Sequence, residues 1–153
     1  LRLAVVRGNP GEVGALAGAG GVVKGVESVE GVKDPVGVAK GLAKDHATVV
    51  AITGRRDIVS DGIRALGVDN GHQMLKTITG SGCMATTMIA VFCAVEHDFV
   101  IAATAALACY GLAAQRAARR SKGPGSFRTA LLDAVYQLTP VQVKAGLKVV
   151  NLE

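Results

Sequence analysis

The segment Thr79-Gly80-Ser81-Gly82-Cys83 carries the strongest chemical signal in the chain, because it stands directly ahead of an uncharged apolar run. Two glycines let the backbone turn so that consecutive N–H groups point into one concavity. The first-turn amides of a helix have no partner within it, and its dipole adds positive potential at the same point. Such a place suits a phosphate or a phosphoryl transition state. A tight glycine turn that only introduces a core helix would use the same spacing. The segment is not a Walker A loop, since no G-x-x-x-x-G-K-[ST] occurs, and no G-x-G-x-x-G follows a strand with an acid beyond it.

Two weaker signals stand near it in kind. Arg7-Gly8-Asn9-Pro10-Gly11-Glu12 closes a strand-like run. An arginine there can pair with phosphate oxygens, and a carboxylate can hold magnesium directly or through water. Asn-Pro-Gly is also a good turn by itself. Thr53-Gly54-Arg55-Arg56-Asp57 follows the clearest strand, and a hydroxyl and an arginine at a strand end can meet phosphates or simply decorate a turn. His46, His72 and His97 stand apart from one another and read as surface or loop residues rather than ligands.

The elements that must position these groups follow from apolar periodicity. Residues 3–6 are a short β-branched run stopped by turn residues, which suits an interior parallel strand. Residues 12–17 allow one or two helical turns, and residues 22–26 are a weaker strand. Residues 35–44 have helical spacing, with Asp34 as N-cap and Pro35 in the first helical position. Residues 48–53, TVVAIT, are the clearest strand; residues 58–60 and 65–68 are short ones. The turn signals Asp61-Gly62 and Asp69-Asn70-Gly71 suggest hairpins. Helices are expected over 84–95, from 99 to about 120, and over 127–138 with Ser126 as its cap. The tail from Pro140 is indistinct. Strand–turn–helix alternation implies an α/β fold with a mostly parallel central sheet.

Composition narrows the function classes. Of 153 residues, half are hydrophobic and 19% are charged, which builds one packed domain and excludes a disordered chain. The net charge of +5 is scattered apart from Arg116, Arg119, Arg120 and Lys122, and the aromatics are two Tyr and three Phe with no Trp. Base-stacking platforms are therefore scarce and nucleic acid is a poor partner. The basic cluster is explained by its place near a helix C-terminus. Cys83, Cys93 and Cys109 form no C-x-x-C pair, which argues against disulfides and structural zinc and for a reducing, cytoplasmic compartment. The apolar stretch 99–114 falls short of a membrane span and reads as a buried helix. The chain opens at Leu1 and enters a buried-looking strand at once, which suggests a truncated start.

Taken together, the segments VVRGNPGE, VKGVES, VVAITGRRD, NGHQMLKTITGSGC, CYGLAAQ and GPGSF resemble the hydroxyethylthiazole kinases of thiamine biosynthesis, members of the ribokinase-like superfamily. The N-x-x-E spacing of Asn9 and Glu12 is general to that superfamily. The cysteine that ends G-S-G-C points to the thiazole kinases, because most relatives have aspartate there. The resemblance implies a three-layer ribokinase-like fold, of which residues 1–153 are the C-terminal portion of a single kinase domain whose N-terminal part is missing.

It also implies ATP and Mg2+ as cofactors and a homotrimer with active sites between subunits. The implied reaction is transfer of the ATP γ-phosphoryl group to the hydroxyl of 4-methyl-5-(2-hydroxyethyl)thiazole. By the same resemblance Arg7 and Thr53 bind ATP, and Asn9 and Glu12 belong to the magnesium and phosphate motif. Gly80 lies at the substrate hydroxyl, Gly80, Ser81, Gly82 and Cys83 frame the anion hole, and Cys83 sits beside the hydroxyl. Two alternatives stand beside this reading: a ribokinase-like ATP-dependent dehydratase, whose relatives resemble G-S-G-D, and a fragment inactive by itself. Arg55 and Arg56 replace residues that are commonly acidic or apolar, and Glu27 stands where aspartate is usual.

Overall fold

The computed structural model describes residues 3–18 and 33–152. The strand expected at 22–26 and Glu27 lie outside the described residues. The remaining elements run β1 (Val5–Gly8), α1 (Pro10–Leu16), α2 (Pro35–His46), β2 (Val49–Ile52), β3 (Asp57–Ser60) and β4 (Ala65–Val68). A 3-10 turn (Gln73–Thr77) leads to α3 (Ser81–Cys93), α4 (Phe99–Ala118), α5 (Pro124–Tyr136), α6 (Pro140–Gly146) and β5 (Val149–Asn151).

Among the described residues five strands form one sheet in the order β1-β2-β3-β4-β5. Only β1 and β2 are parallel; β2–β3, β3–β4 and β4–β5 are antiparallel. The expectation of a mostly parallel sheet is thus corrected for the described strands, and the reason is connection length. A parallel neighbour needs a crossover of a dozen or more residues. Between Gly8 and Val49 there is room for one, and α1 and α2 lie in it. Residues 53–56 and 61–64 are too few, so those links close as hairpins. The second expected hairpin does not form: Asp69-Asn70-Gly71 leads into the 3-10 turn, and the partner of β4 arrives from the C-terminal end as β5.

Strand alternation sends side chains to two apolar clusters. Val49, Ala51, Val59 and Val68 pack with α3, α4 and α5, while Val50, Ile52 and Ile58 pack with Val13 of α1 and Ala39, Leu42 and Ala43 of α2. The apolar stretch expected to be buried is the centre of the first cluster. Although α4 is long and apolar enough to cross a membrane, 72% of its most apolar window is buried. Its alanines let α3 and α5 approach closely on either side.

Helix starts differ in detail from expectation. Asp34 does cap α2, accepting from the Gly37 N–H at 2.8 Å. Helix α5 begins at Pro124 rather than after Ser126, as proline in the first turn favours. Ser126 Oγ instead reaches back to accept from the Gly123 N–H at 3.2 Å. Helix α3 starts at Ser81, inside G-S-G-C, rather than at Met84. The indistinct tail resolves into α6, capped by Thr139, and the exposed strand β5. Buried Asn70 fastens that tail: its side-chain N–H donates to the Gly146 carbonyl at 2.9 Å, and its oxygen accepts from the Lys148 N–H at 2.7 Å.

Candidate active site

The parallel pairing sets Gly8 beside Ile52, so β1 and β2 end together and Arg7 and Thr53 meet at their carboxyl ends. This is the end of a parallel pair where α/β sheets bind ligands. Arg7 Nη2 donates to Thr53 Oγ1 at 2.5 Å, and the Thr53 N–H continues the ladder to the Gly8 carbonyl at 2.9 Å. The Arg7 guanidinium lies against Gly82: a Cβ on that glycine would stand 2.7 Å from Nη1. A side chain at this position would push the guanidinium aside. Arg7 Nε is buried and has no hydrogen-bond partner among the described residues.

Gly80 takes φ +88°, a left-handed backbone that glycine adopts without strain, and the space where its Cβ would project is open. That turn aims the first residues of α3, Ser81, Gly82 and Cys83, past Arg7. No side chain caps this helix start. The thiol of Cys83 is exposed on the first turn. Tyr110 of α4 anchors the same turn, its hydroxyl donating to the Ser81 carbonyl at 3.1 Å. Burial pushes the Tyr110 phenol up to about 12 against the opposing pull of the Arg7 charge, so it stays a donor at neutral pH.

Asn9 and Glu12 are placed one turn away and are occupied with each other. The Glu12 N–H donates to Asn9 Oδ1 at 2.9 Å and the Asn9 N–H donates to Glu12 Oε2 at 2.7 Å, a reciprocal capping box that starts α1. The same Oε2 lies 3.2 Å from where a Cβ on Gly8 would stand, which brings the carboxylate to the end of β1.

Two contributors were not among the residues expected at the site. Asp57 turns back to accept the Gly54 N–H at 2.9 Å, and burial pushes its carboxyl up to about 6 despite that bond and the nearby Arg7 charge. Its signal was an acid three residues after the glycine of T-G-R-R-D. Tyr110 had no local signal, standing in an apolar helix. Both line a cavity of about 420 Å³, with Gly54, Arg55, His72 and Lys76 around them. His72 occupies a loop, as expected, and its Nδ1 accepts from the Met74 N–H at 3.3 Å. Arg56 is spent elsewhere: it holds Asp69 through two bonds of 2.6 and 2.7 Å.

An uncapped helix start and a guanidinium thus lie together, and Tyr110, which holds that start, also lines the cavity. A family model described as the hydroxyethylthiazole kinase family matches residues 1–141. The chain belongs to the hydroxyethylthiazole kinase family. Among family members, it is 64% identical to the hydroxyethylthiazole kinase of Desulforudis audaxviator (strain MP104C), over 99% of this chain and 56% of that relative. It is 59% identical to that of Chloroflexus aggregans (strain MD-66 / DSM 9485), over 99% of this chain and 55% of that one. It also superposes on the solved hydroxyethylthiazole kinase protein of Pyrococcus horikoshii OT3 with a TM-score of 0.87 at 35% identity, covering 99% of this chain and 56% of that one. The chain thus spans just over half the length of the family members it matches.

Proposed function

We propose that the protein carrying this chain transfers the γ-phosphoryl group of ATP to the hydroxyl of 4-methyl-5-(2-hydroxyethyl)thiazole. The observation that carries this reading is the Arg7 guanidinium resting on Gly82, beside an uncapped helix start. Phosphoryl transfer asks the protein for position and charge neutralisation and for little covalent chemistry. Arg7, steadied by Thr53, holds phosphate oxygens; the amides of Ser81, Gly82 and Cys83 meet the charge that spreads over the moving group. The open space at Gly80 admits the alcohol, and Cys83 stands beside its hydroxyl as a helpful but dispensable proton acceptor.

The donor set at the start of α1 fits magnesium in kind: Glu12 offers hard carboxylate oxygen at the end of β1, and Mg2+ takes one or two carboxylates along with phosphates and water. When bound there it supplies further charge neutralisation on the phosphates. Asn9 keeps Glu12 oriented through the capping box. From the family resemblance we extend the reading to residues 1–153 as the C-terminal portion of one ribokinase-like three-layer domain, in a cytoplasmic homotrimer.

The test is direct. Full-length protein is incubated with ATP, Mg2+ and the thiazole alcohol, and the products are resolved by mass spectrometry. Phosphorylated thiazole is expected; ATP consumption with the alcohol unchanged would overturn the assignment.

A further inference from the structure

We infer that Tyr110 is a positioning residue for the anion hole, its hydroxyl holding the Ser81 carbonyl so that the Gly82 N–H of the same peptide meets the moving phosphoryl group; this rests on the reaction proposed above. The carbonyl and the N–H belong to one rigid plate. The peptide is trans, so it is planar and its C=O and N–H point in opposite directions. Whatever fixes the Ser81 oxygen therefore fixes the direction of the Gly82 N–H. Tyr110 Oη donates to that oxygen at 3.1 Å from another helix. The Cβ that Gly82 lacks would stand 2.7 Å from Arg7 Nη1, so the peptide held in this way lies beside the guanidinium.

This plate has reason to swing. Glycines at 80 and 82 flank Ser81, and glycine leaves the backbone its widest freedom. The Gly82 N–H stands in the first turn of α3, where a helix offers it no internal partner, and no side chain caps that start. Tyr110, in contrast, is seated firmly. It is only 4% exposed, in the helix at the centre of the larger apolar cluster. Its neighbour Gly111 brings α4 hard against the 70–72 loop: a Cβ there would stand 2.5 Å from the Asn70 carbonyl oxygen. A tyrosine has one O–H to donate, and this one is given to Ser81. The hydroxyl has only lone pairs left for the cavity, whereas a phosphate needs donors. It acts from behind the N–H and not on the substrate. A donor held in this way stabilises developing charge without reorganising at the moment of reaction.

The experiment compares Tyr110→Phe with the parent in the full-length protein. The ring stays in place, so the melting temperature should fall by only about a few degrees. The kcat should fall about tenfold, less than the roughly hundredfold to thousandfold cost of removing a whole donor from such a hole. The KM values for ATP and for the alcohol should stay within about twofold, because the interaction lost is one made in the transition state. Loss of packing alone would not give that split. In a Gly82→Val background, where the amide is already displaced, Tyr110→Phe should lower kcat no further. A Phe variant whose kcat matches that of the parent overturns the inference. So does a raised KM for ATP with kcat unchanged, which would make Tyr110 a wall of the cavity and no more. An equal fall in kcat with and without Gly82→Val overturns it as well. A parent that consumes ATP and leaves the alcohol unchanged overturns the proposed reaction, and the same comparison is then read in the rate of ATP consumption. A parent that consumes no ATP overturns both.

Discussion

Helices α1 and α3 meet the same physical problem in opposite ways. Each has first-turn N–H groups with no partner inside the helix. At α1 the sequence N-P-G-E supplies both halves of a capping box, so the helix satisfies two donors from its own residues. At α3 the sequence G-S-G-C supplies a left-handed turn and no side-chain cap, and the Arg7 guanidinium is laid alongside. The first start is closed and anchors the end of β1. The second is open, cationic and adjacent to a cavity. The chain closes one helix start with its own residues and leaves the other without a side-chain cap.

The sharpest way to break this contrast is to fill the gap at Gly82. Gly82→Val places carbon atoms where the Arg7 guanidinium now lies, so both the cation and the first-turn amides should be displaced. Loss of the anion hole predicts a fall in kcat/KM of about a hundredfold to a thousandfold, read by steady-state kinetics on the full-length protein. A variant with unchanged kinetics would mean that α3 opens onto nothing.

Next comes the cation alone. Arg7→Ala should raise the KM for ATP by the worth of a charge-assisted contact, roughly 1.5–3 kcal/mol, and leave the KM for the alcohol nearly unchanged. A circular dichroism melt checks that the fold survives; unfolding with unaltered nucleotide affinity would make Arg7 structural.

Cys83 should matter less than either. Cys83→Asp should retain activity within about tenfold, and Cys83→Ala should be slower yet measurable, because a loose phosphoryl transition state demands little of a base. Intact-mass spectrometry during turnover should show no phosphocysteine. A dead aspartate variant would assign the thiol a larger part.

The smallest change in stability is expected at the closed start. Glutamine serves a capping box as well as glutamate, so Glu12→Gln should keep stability within about 0.5 kcal/mol. The Mg2+ concentration needed for half-maximal activity should rise several-fold, since an amide is a poorer ligand for a hard cation. If that requirement does not move, Glu12 is a cap and nothing more.

Much of this arrangement was legible from residue order, and the parts that were not share a cause. TVVAIT announced β2, and Asp34-Pro35 announced the start of α2, because each is decided by neighbours along the chain. Strand direction is decided by the length of the links between strands, and the apolar runs 58–60 and 65–68 look the same in either sense. The exposed strand β5 has little apolar pattern of its own and exists because β4 offers an edge and Asn70 a clamp. Arg7, Thr53 and G-S-G-C stood out because strand ends and glycine turns are local signals, though each could equally be a plain turn and their roles came from the family resemblance. Nothing local says that Tyr110, in the middle of an apolar helix, reaches Ser81 across 29 positions. Asp57 was visible only as the last residue of a turn.

The fastening at Asn70 has a consequence for how the C-terminal end exchanges with solvent. The residues of strand β5 are all partly exposed, and the strand would ordinarily fray, giving up its amide protons early. The Lys148 amide, however, ends on the side chain of buried Asn70, a residue that lines the cavity. Its proton can leave only when residues 70–72 loosen as well. In deuterium uptake, then, the tail keeps the time of the cavity wall and not that of a chain terminus.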